Sequence, residues 1–338
     1  MNLPKMFNSN KYLKMKQSIS INTSIMVMLL LSITLQTKAQ NISGIIETNN
    51  INIAYESFGS ANNETILLIQ GTGVQLTGWP IELCEQLAEK GYHVIRFDNR
   101  DVGLSSILDT LGMPDWANIL PKIGTCDEVN LPYSLNDMAT DAVGLLNELN
   151  IEKAHIVGVS MGGAIAQLIA INFPNKTLSL TSIMASSGNP QAQKGNPEVL
   201  QIMATPPPMT DDVETLTNYF FTIYKAIGSP VYPTDDTILK DRAKKSIQRS
   251  WNPSGFARQA AAVIIGDNCD RRQQLKDIKI PVVVIHGDAD PVVNVEAGKE
   301  VAETIPEAKL VIIEGMGHDL PDALMPKIME GILLATKK

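Results

Sequence analysis

Apolar residues in this chain fall into short unbroken runs, and between the runs they recur with helical spacing. The runs at 65–69, 93–97, 154–159, 178–184, 281–285 and 309–313 predict strands. Continuous rather than alternating apolar strands are buried on both faces, as in a parallel sheet covered by helices. Helical spacing predicts helices over 80–90, with Gly91 as a stop, and over 134–149, with Ser134 as a cap. Further helices are predicted over 161–172, ended by Phe173-Pro174, and over 295–304 and 321–335. Residues 45–55 read as an antiparallel start with Asn49-Asn50 as its turn. From 189 to 277 no strand is predicted, and Pro206, Pro207 and Pro208 cluster there. That stretch reads as a helical insertion, a cap over the sheet. The expected class is α/β: a mostly parallel sheet with helices on both faces and a cap at about 189–277. No internal repeat or low-complexity tract is present.

The first forty residues stand apart from this pattern. Lys5, Lys11, Lys14, Lys16 and Lys38 surround the apolar run Ile25-Met26-Val27-Met28-Leu29-Leu30-Leu31, and Thr37-Lys38-Ala39 follows. A charged, then apolar, then small-residue layout predicts a secretory signal over 1–39, with cleavage near Ala39. The mature domain is then 40–338, secreted or periplasmic. The apolar run is too short for a comfortable membrane span, so no stable membrane insertion is expected after removal. Met15 is an alternative start, since a conventional signal would begin there. No cysteine lies near the cut, which argues against a lipid anchor.

Composition narrows the field. With 338 residues and 44% apolar content the chain supports a full hydrophobic core, and that content excludes disorder as the main state. Removing residues 1–40, which hold five lysines and no acid, moves the net charge from −8 to −13. An acidic domain repels phosphate backbones and anionic membranes, so nucleic acid is not an expected partner. Cys84, Cys126 and Cys269 permit at most one internal bridge, and the sequence does not choose a pair.

The chemistry centres on Gly158-Val159-Ser160-Met161-Gly162, set between a predicted strand and a predicted helix. Such a sharp turn strains the serine backbone and lifts its hydroxyl above the sheet. Glycines 158 and 162 are required where side chains would collide. A serine hydroxyl needs a base. Of the four histidines, His93 and His155 sit inside predicted strands and His286 at the end of one, so all three read as structural. His318 lies in the loop Glu314-Gly315-Met316-Gly317-His318-Asp319 and is the candidate base. Its orienting acid is Asp290, further out along His286-Gly287-Asp288-Ala289-Asp290-Pro291 than Asp288, which is placed to bond locally. Asp319 is expected to point away from the histidine and cap a helix start. The oxyanion donors are expected to be Met161 N–H and Thr72 N–H, with Gly71 and Gly73 as alternatives in Gly71-Thr72-Gly73. No metal-ligand spacing or dinucleotide glycine motif appears, so neither a metal nor a cofactor is expected.

The order serine, acid, histidine, with these elements around it, resembles the α/β-hydrolase superfamily over about 45–335. The segment Arg96-Phe97-Asp98-Asn99-Arg100-Asp101-Val102-Gly103-Leu104-Ser105 is similar to that of bacterial hydrolases related to aclacinomycin methylesterase. Gly78-Trp79-Pro80, Arg258-Gln259 and Gly315-Met316-Gly317-His318 are similar too. The resemblance implies an α/β-hydrolase fold and a serine hydrolase cleaving small-molecule carboxylic esters through an acyl-enzyme, without a cofactor. Gln70 departs from the histidine that many relatives carry before the oxyanion glycine, which bears on the polar network around that loop. Asp98, Arg100 and Asp101 are expected to hold their own loop together. Phe220, Phe221, Tyr224, Trp251 and Phe256 are candidates to line the substrate pocket, and their spacing suits the cap's own core equally.

The same three residues also serve lactone hydrolysis, C–C bond hydrolysis and perhydrolysis, which the sequence does not separate. Serine at 160 argues against epoxide hydrolases and dehalogenases, which place aspartate there. A non-catalytic ligand-binding protein or an envelope structural protein would not need this set of residues.

Overall fold

A tight hairpin opens the sheet. β1 (Ile42–Thr48) and β2 (Ile51–Phe58) pair antiparallel, with Ile45 opposite Ala54. Asn49 and Asn50 between them have φ of 51° and 62°, the left-handed pair that a two-residue hairpin turn demands and asparagine tolerates. The structure is a computed structural model that describes residues 41–125, 129–192 and 194–337. The expected signal over 1–39, the alternative start Met15 and Cys126 lie outside the described residues.

β3 (Thr65–Ile69), α1 (Ile81–Glu89) and β4 (His93–Phe97) follow. A single turn, α2 (Trp116–Ile119), precedes α3 (Leu135–Glu148). Ser134 starts α3 with a capping box: its Oγ accepts from Asp137 N–H, and Asp137 Oδ2 accepts from Ser134 N–H at 2.7 Å. β5 (Ala154–Val159), α4 (Met161–Asn172) and β6 (Thr177–Ile183) come next. The chain then forms α5 (Pro197–Ala204), α6 (Val213–Ile227), α7 (Asp236–Arg249), α8 (Pro253–Gly266) and α9 (Arg272–Leu275). No strand occurs among the described residues of this stretch, only an isolated bridge from Lys194 to Val293. β7 (Val282–Gly287), α10 (Val295–Thr304), β8 (Lys309–Ile313) and α11 (Met325–Thr336) close the fold. The last helix begins later than the expected 321, because Pro321 leads into a 3₁₀ turn over Asp322–Leu324.

Among the described residues the sheet order is β1-β2-β4-β3-β5-β6-β7-β8. β2 pairs β4 antiparallel, and every later neighbour is parallel. β3 therefore has β4 on one side and β5 on the other, which makes its carboxyl end a topological switch point. Alternate residues of each central strand enter different cores. Leu67, Ile69 and Ile156 join α3 and α4 on one face. Ile66, Leu68 and Val157 join Leu83 and Leu87 of α1 and Ile328 and Ile332 of α11 on the other. Both faces are dry, which explains the unbroken apolar runs. The Cys84 thiol is free within the second core, and burial above all pushes its pKa up to about 12.

The charges after β4 hold their loop and seat the cap. Asp98, fully buried, accepts from the N–H groups of Leu76 at 2.7 Å and Leu104 at 2.9 Å, and pairs with Arg249 of α7 at 2.8 Å. Arg100 forks onto Asp141 at 2.6 and 2.8 Å. Arg258 of α8 forks onto Asp101 at 2.7 Å through both nitrogens, and neither side chain is more than 1% exposed. Breaking such a pair leaves a buried charge alone. Arg258→Met is expected to lower stability by about 3–5 kcal/mol, read as a shift in the urea midpoint, and adding Asp101→Asn should recover part of the loss.

Candidate active site

The turn after β5 has no room for side chains. A Cβ on Gly158 would lie 1.9 Å from the Gly162 carbonyl oxygen, and one on Gly162 would lie 2.2 Å from that of Ile69. Glycine at both positions lets β5, α4 and the end of β3 meet backbone to backbone. Ser160 absorbs the geometry at φ 55° and ψ −122°, a sparsely populated region costing about 1–3 kcal/mol for a residue with a side chain. Its N–H is held by Ile183 O at 2.9 Å, and its carbonyl accepts from Gly163 and Ala164 N–H at 2.8 and 3.2 Å.

Two loops from other strands close on this serine. His318, after β8, has Nε2 2.9 Å from Ser160 Oγ. Its Nδ1 lies 2.8 Å from Asp290 Oδ2, after β7. Asp290 Oδ1 accepts from Val292 and Val293 N–H at 2.8 and 2.9 Å. Asp290 and His318 are both buried, while Ser160 is partly exposed. Burial would raise the Asp290 carboxyl, but the charge of His318 and the hydrogen bonds from His286 and His318 hold it well below the carboxylate range. Burial would lower His318, yet Asp290 beside it, aided by the charges of Asp319 and Asp267, raises it above the ordinary histidine value. An ionised Asp290 only accepts, so Nδ1 carries the proton and neutral Nε2 is free to accept from the serine hydroxyl.

The loop after β3 lies beside the serine. A Cβ on Gly71 would be 3.3 Å from Ser160 Cβ and 3.7 Å from Oγ. Of the three N–H groups left open as donors here, two are already engaged. Gly71 N–H donates to Gln70 Oε1 at 3.1 Å, and Gly73 N–H donates to Gln259 Oε1 at 2.7 Å. Thr72 N–H and Met161 N–H donate to no group among the described residues. Gln70, which stands where many relatives carry histidine, thus serves its own loop, and its carbonyl accepts from Asn99 Nδ2 at 3.2 Å.

The other candidates fall mainly where the residue types suggested. Thr65 Oγ1 meets His93 Nδ1 at 3.2 Å, and His155 Nδ1 meets Ser179 Oγ at 2.8 Å, both inside the sheet. Asp288 Oδ1 accepts from Gly315 N–H at 2.6 Å, a local loop bond. His286 does more than fill space: Nε2 donates to Val293 O at 2.9 Å and lies 3.4 Å from Asp290 Oδ2. Asp319 is a correction. It caps no helix but accepts from Ser229 Oγ, because the cap's chain passes directly against its loop. A cleft between the oxyanion loop and the cap is lined by Gly73, Gln75, Phe220, Tyr224, Trp251 and Phe256 among others. Phe221 is absent from that lining and lies under Lys240 Nζ, 4.8 Å from its ring centre. Sequence reasoning missed Gln259 as the partner of the oxyanion loop, for it lies 186 residues from Gly73. Its adjacency to Arg258 was the one visible signal.

A family model described as the alpha/beta hydrolase fold matches residues 64–322. The chain belongs to the α/β hydrolase fold family. Among its relatives is rhodomycin D methylesterase of Streptomyces peucetius, 27% identical over 322 residues, covering 87% of this chain and 97% of that protein. Another is 3-oxoadipate enol-lactonase 2 of Acinetobacter baylyi, 26% identical over 273 residues, covering 80% and 87%. The solved enol-lactonase from Burkholderia xenovorans LB400 has the same fold, with a TM-score of 0.64 at 19% identity over 86% of this chain and 100% of that one. Among the described residues of this α/β hydrolase fold chain, no helix is long and apolar enough to cross a membrane.

The glycine contacts carry a direct prediction. Gly162→Ala is expected to cost at least about 1–3 kcal/mol through overpacking and to push the loop after β3 away from Ser160. Chemical denaturation reads the first effect, and a slower reaction with a fluorophosphonate probe reads the second.

Proposed function

We propose that this chain is a serine hydrolase that cleaves small-molecule carboxylic esters. The observation that carries the reading is the chain of contacts from Asp290 through His318 to Ser160, ending beside two unengaged backbone donors. Ser160 Oγ attacks the acyl carbon while His318 Nε2 takes the hydroxyl proton. The carbonyl oxygen becomes an oxyanion and receives hydrogen bonds from Thr72 and Met161 N–H, which cost no reorganisation. Collapse expels the alcohol, protonated by His318. Water, activated by the same imidazole, then cleaves the acyl-enzyme and restores the serine. Asp290 keeps the proton on Nδ1 and stabilises the imidazolium.

The methylesterase among the relatives supports the ester reading. The enol-lactonase favours lactones as a second substrate class for the same residues. The leader expected over 1–39 makes export part of the proposal, and a mature N-terminus at Gln40 would support it.

Two outcomes test the reading. Ser160→Ala should abolish fluorophosphonate labelling and lower kcat on p-nitrophenyl esters by on the order of 10³–10⁶-fold; an unlabelled, inactive wild type that is well folded would overturn it. His318 accepts a proton only when neutral, so activity falls as pH drops through its raised pKa. The acid limb of kcat/KM should therefore lie above the ordinary histidine value of about 6.5, and a pH–rate profile checks it.

A further inference from the structure

The loop that carries His318 is hydrogen-bonded to the cap through four of its residues, Gly315, Gly317, His318 and Asp319. His318 N–H donates to Ile227 O, the last residue of α6, at 2.8 Å. Gly317 N–H donates to Ser229 Oγ at 2.9 Å. Ser229 Oγ–H in turn donates to Asp319 Oδ1. One hydroxyl, 2% exposed, thus joins the residues on either side of the histidine. Val231 N–H reaches Gly315 O at 3.4 Å, and a Cβ on Gly317 would fall 2.6 Å from Ile227 O. The loop and the strip 227–231 are therefore in backbone contact. Ser160 itself is set by the sheet, its N–H bonded to Ile183 O of β6 at 2.9 Å.

We propose that Ser229 is a positioning residue for His318, and that through it the cap sets the reach of the imidazole onto Ser160. The inference rests on the proposed role of His318 as base. The hydroxyl acts in both directions. As acceptor it holds Gly317 N–H and fixes the loop's depth. As donor it holds the Asp319 carboxylate, which burial pushes above its usual range and Ser229 draws back. Without the hydroxyl, the Gly317 N–H and the Asp319 carboxylate both lose a buried partner. The loop then relaxes, and the 2.9 Å contact with Ser160 Oγ lengthens. A cap residue that touches no reacting atom would in this way govern the chemical step.

The test compares wild type, Ser160→Ala, Ser229→Ala and the slightly larger Ser229→Cys in the full chain. Folding is checked by circular dichroism and thermal melting. The readouts are the fluorophosphonate labelling rate and the separate kcat and KM on one p-nitrophenyl ester. Misplacement of a catalytic group by about 1 Å costs on the order of 100-fold, so Ser229→Ala should lower labelling and kcat by about that factor with KM within about twofold. Ser229→Cys, whose thiol is a weak donor and acceptor, should fall between. Wild-type kcat in either folded variant, or a rise in KM alone, overturns the proposal. If Ser229→Ala does not fold, the Ser229→Cys result decides. Failure of the wild type itself to label would instead overturn the proposed role of Ser160, a separable outcome.

Discussion

No side chain fits between Gly158 and Gly162, and the geometry around Ser160 depends on that contact. A Cβ there would stand 1.9 Å from a carbonyl oxygen. With the backbones of β5 and α4 in touch, the connecting residue has one conformation available, and Ser160 occupies it at positive φ. The same small residue at 162 lets the end of β3 approach, which brings Gly71 beside the serine. Two separate segments thus meet at Ser160 because two glycines remove what would hold them apart. The local strain is modest beside the apolar burial on both faces of the sheet that holds the turn in place.

Electrostatics completes what the packing begins. His318 is buried, which alone would disfavour its charged form, and three carboxylates act on it in the opposite sense. Only Asp290 bonds the ring directly. That carboxylate accepts from Val292 and Val293 N–H on one oxygen and from His318 on the other, with His286 Nε2 3.4 Å away. These contacts and the charge of His318 hold it ionised, and an ionised Asp290 leaves His318 a single useful tautomer. The cap contributes differently. Its ion pairs to Asp98 and Asp101 are buried and expensive to break, so they fix where the cap sits. Gln259, beside Arg258, then occupies Gly73 N–H and leaves Thr72 N–H unengaged.

Much of this was readable in the chain itself. The strands at 65–69 and 93–97 match their apolar runs to the residue, since a strand buried on both faces has sharp polar ends; 309–313 matches too, but as the sheet edge it leaves Leu310 and Ile312 exposed, against the expected burial on both faces. Ser134 announced the start of α3, and Asn49-Asn50 the hairpin turn, because these are local devices. The reading failed where a partner lay far away. Asp319 resembled a helix cap in sequence, but its partner Ser229 is 90 residues upstream. That Gly71 and Gly73 N–H have acceptors, Gln70 and the distant Gln259, was likewise not visible in the chain.

The sequence by itself determined the class of fold, the strained serine turn and the identities of the base and acid candidates. Each of those follows from periodicity, from glycine at fixed offsets, or from the loop in which a side chain falls. Tertiary structure alone decided the distances among Ser160, His318 and Asp290, the acceptors of Gly71 and Gly73 N–H, and the seat of the histidine loop on the cap. The contacts that set them span 158 residues between His318 and Ser160 and 88 between Gly317 and Ser229. Local propensity carries no information at that range. Only the strand order, which lays β3 against β5 and folds the cap back over their carboxyl ends, brings such residues within a hydrogen bond of one another.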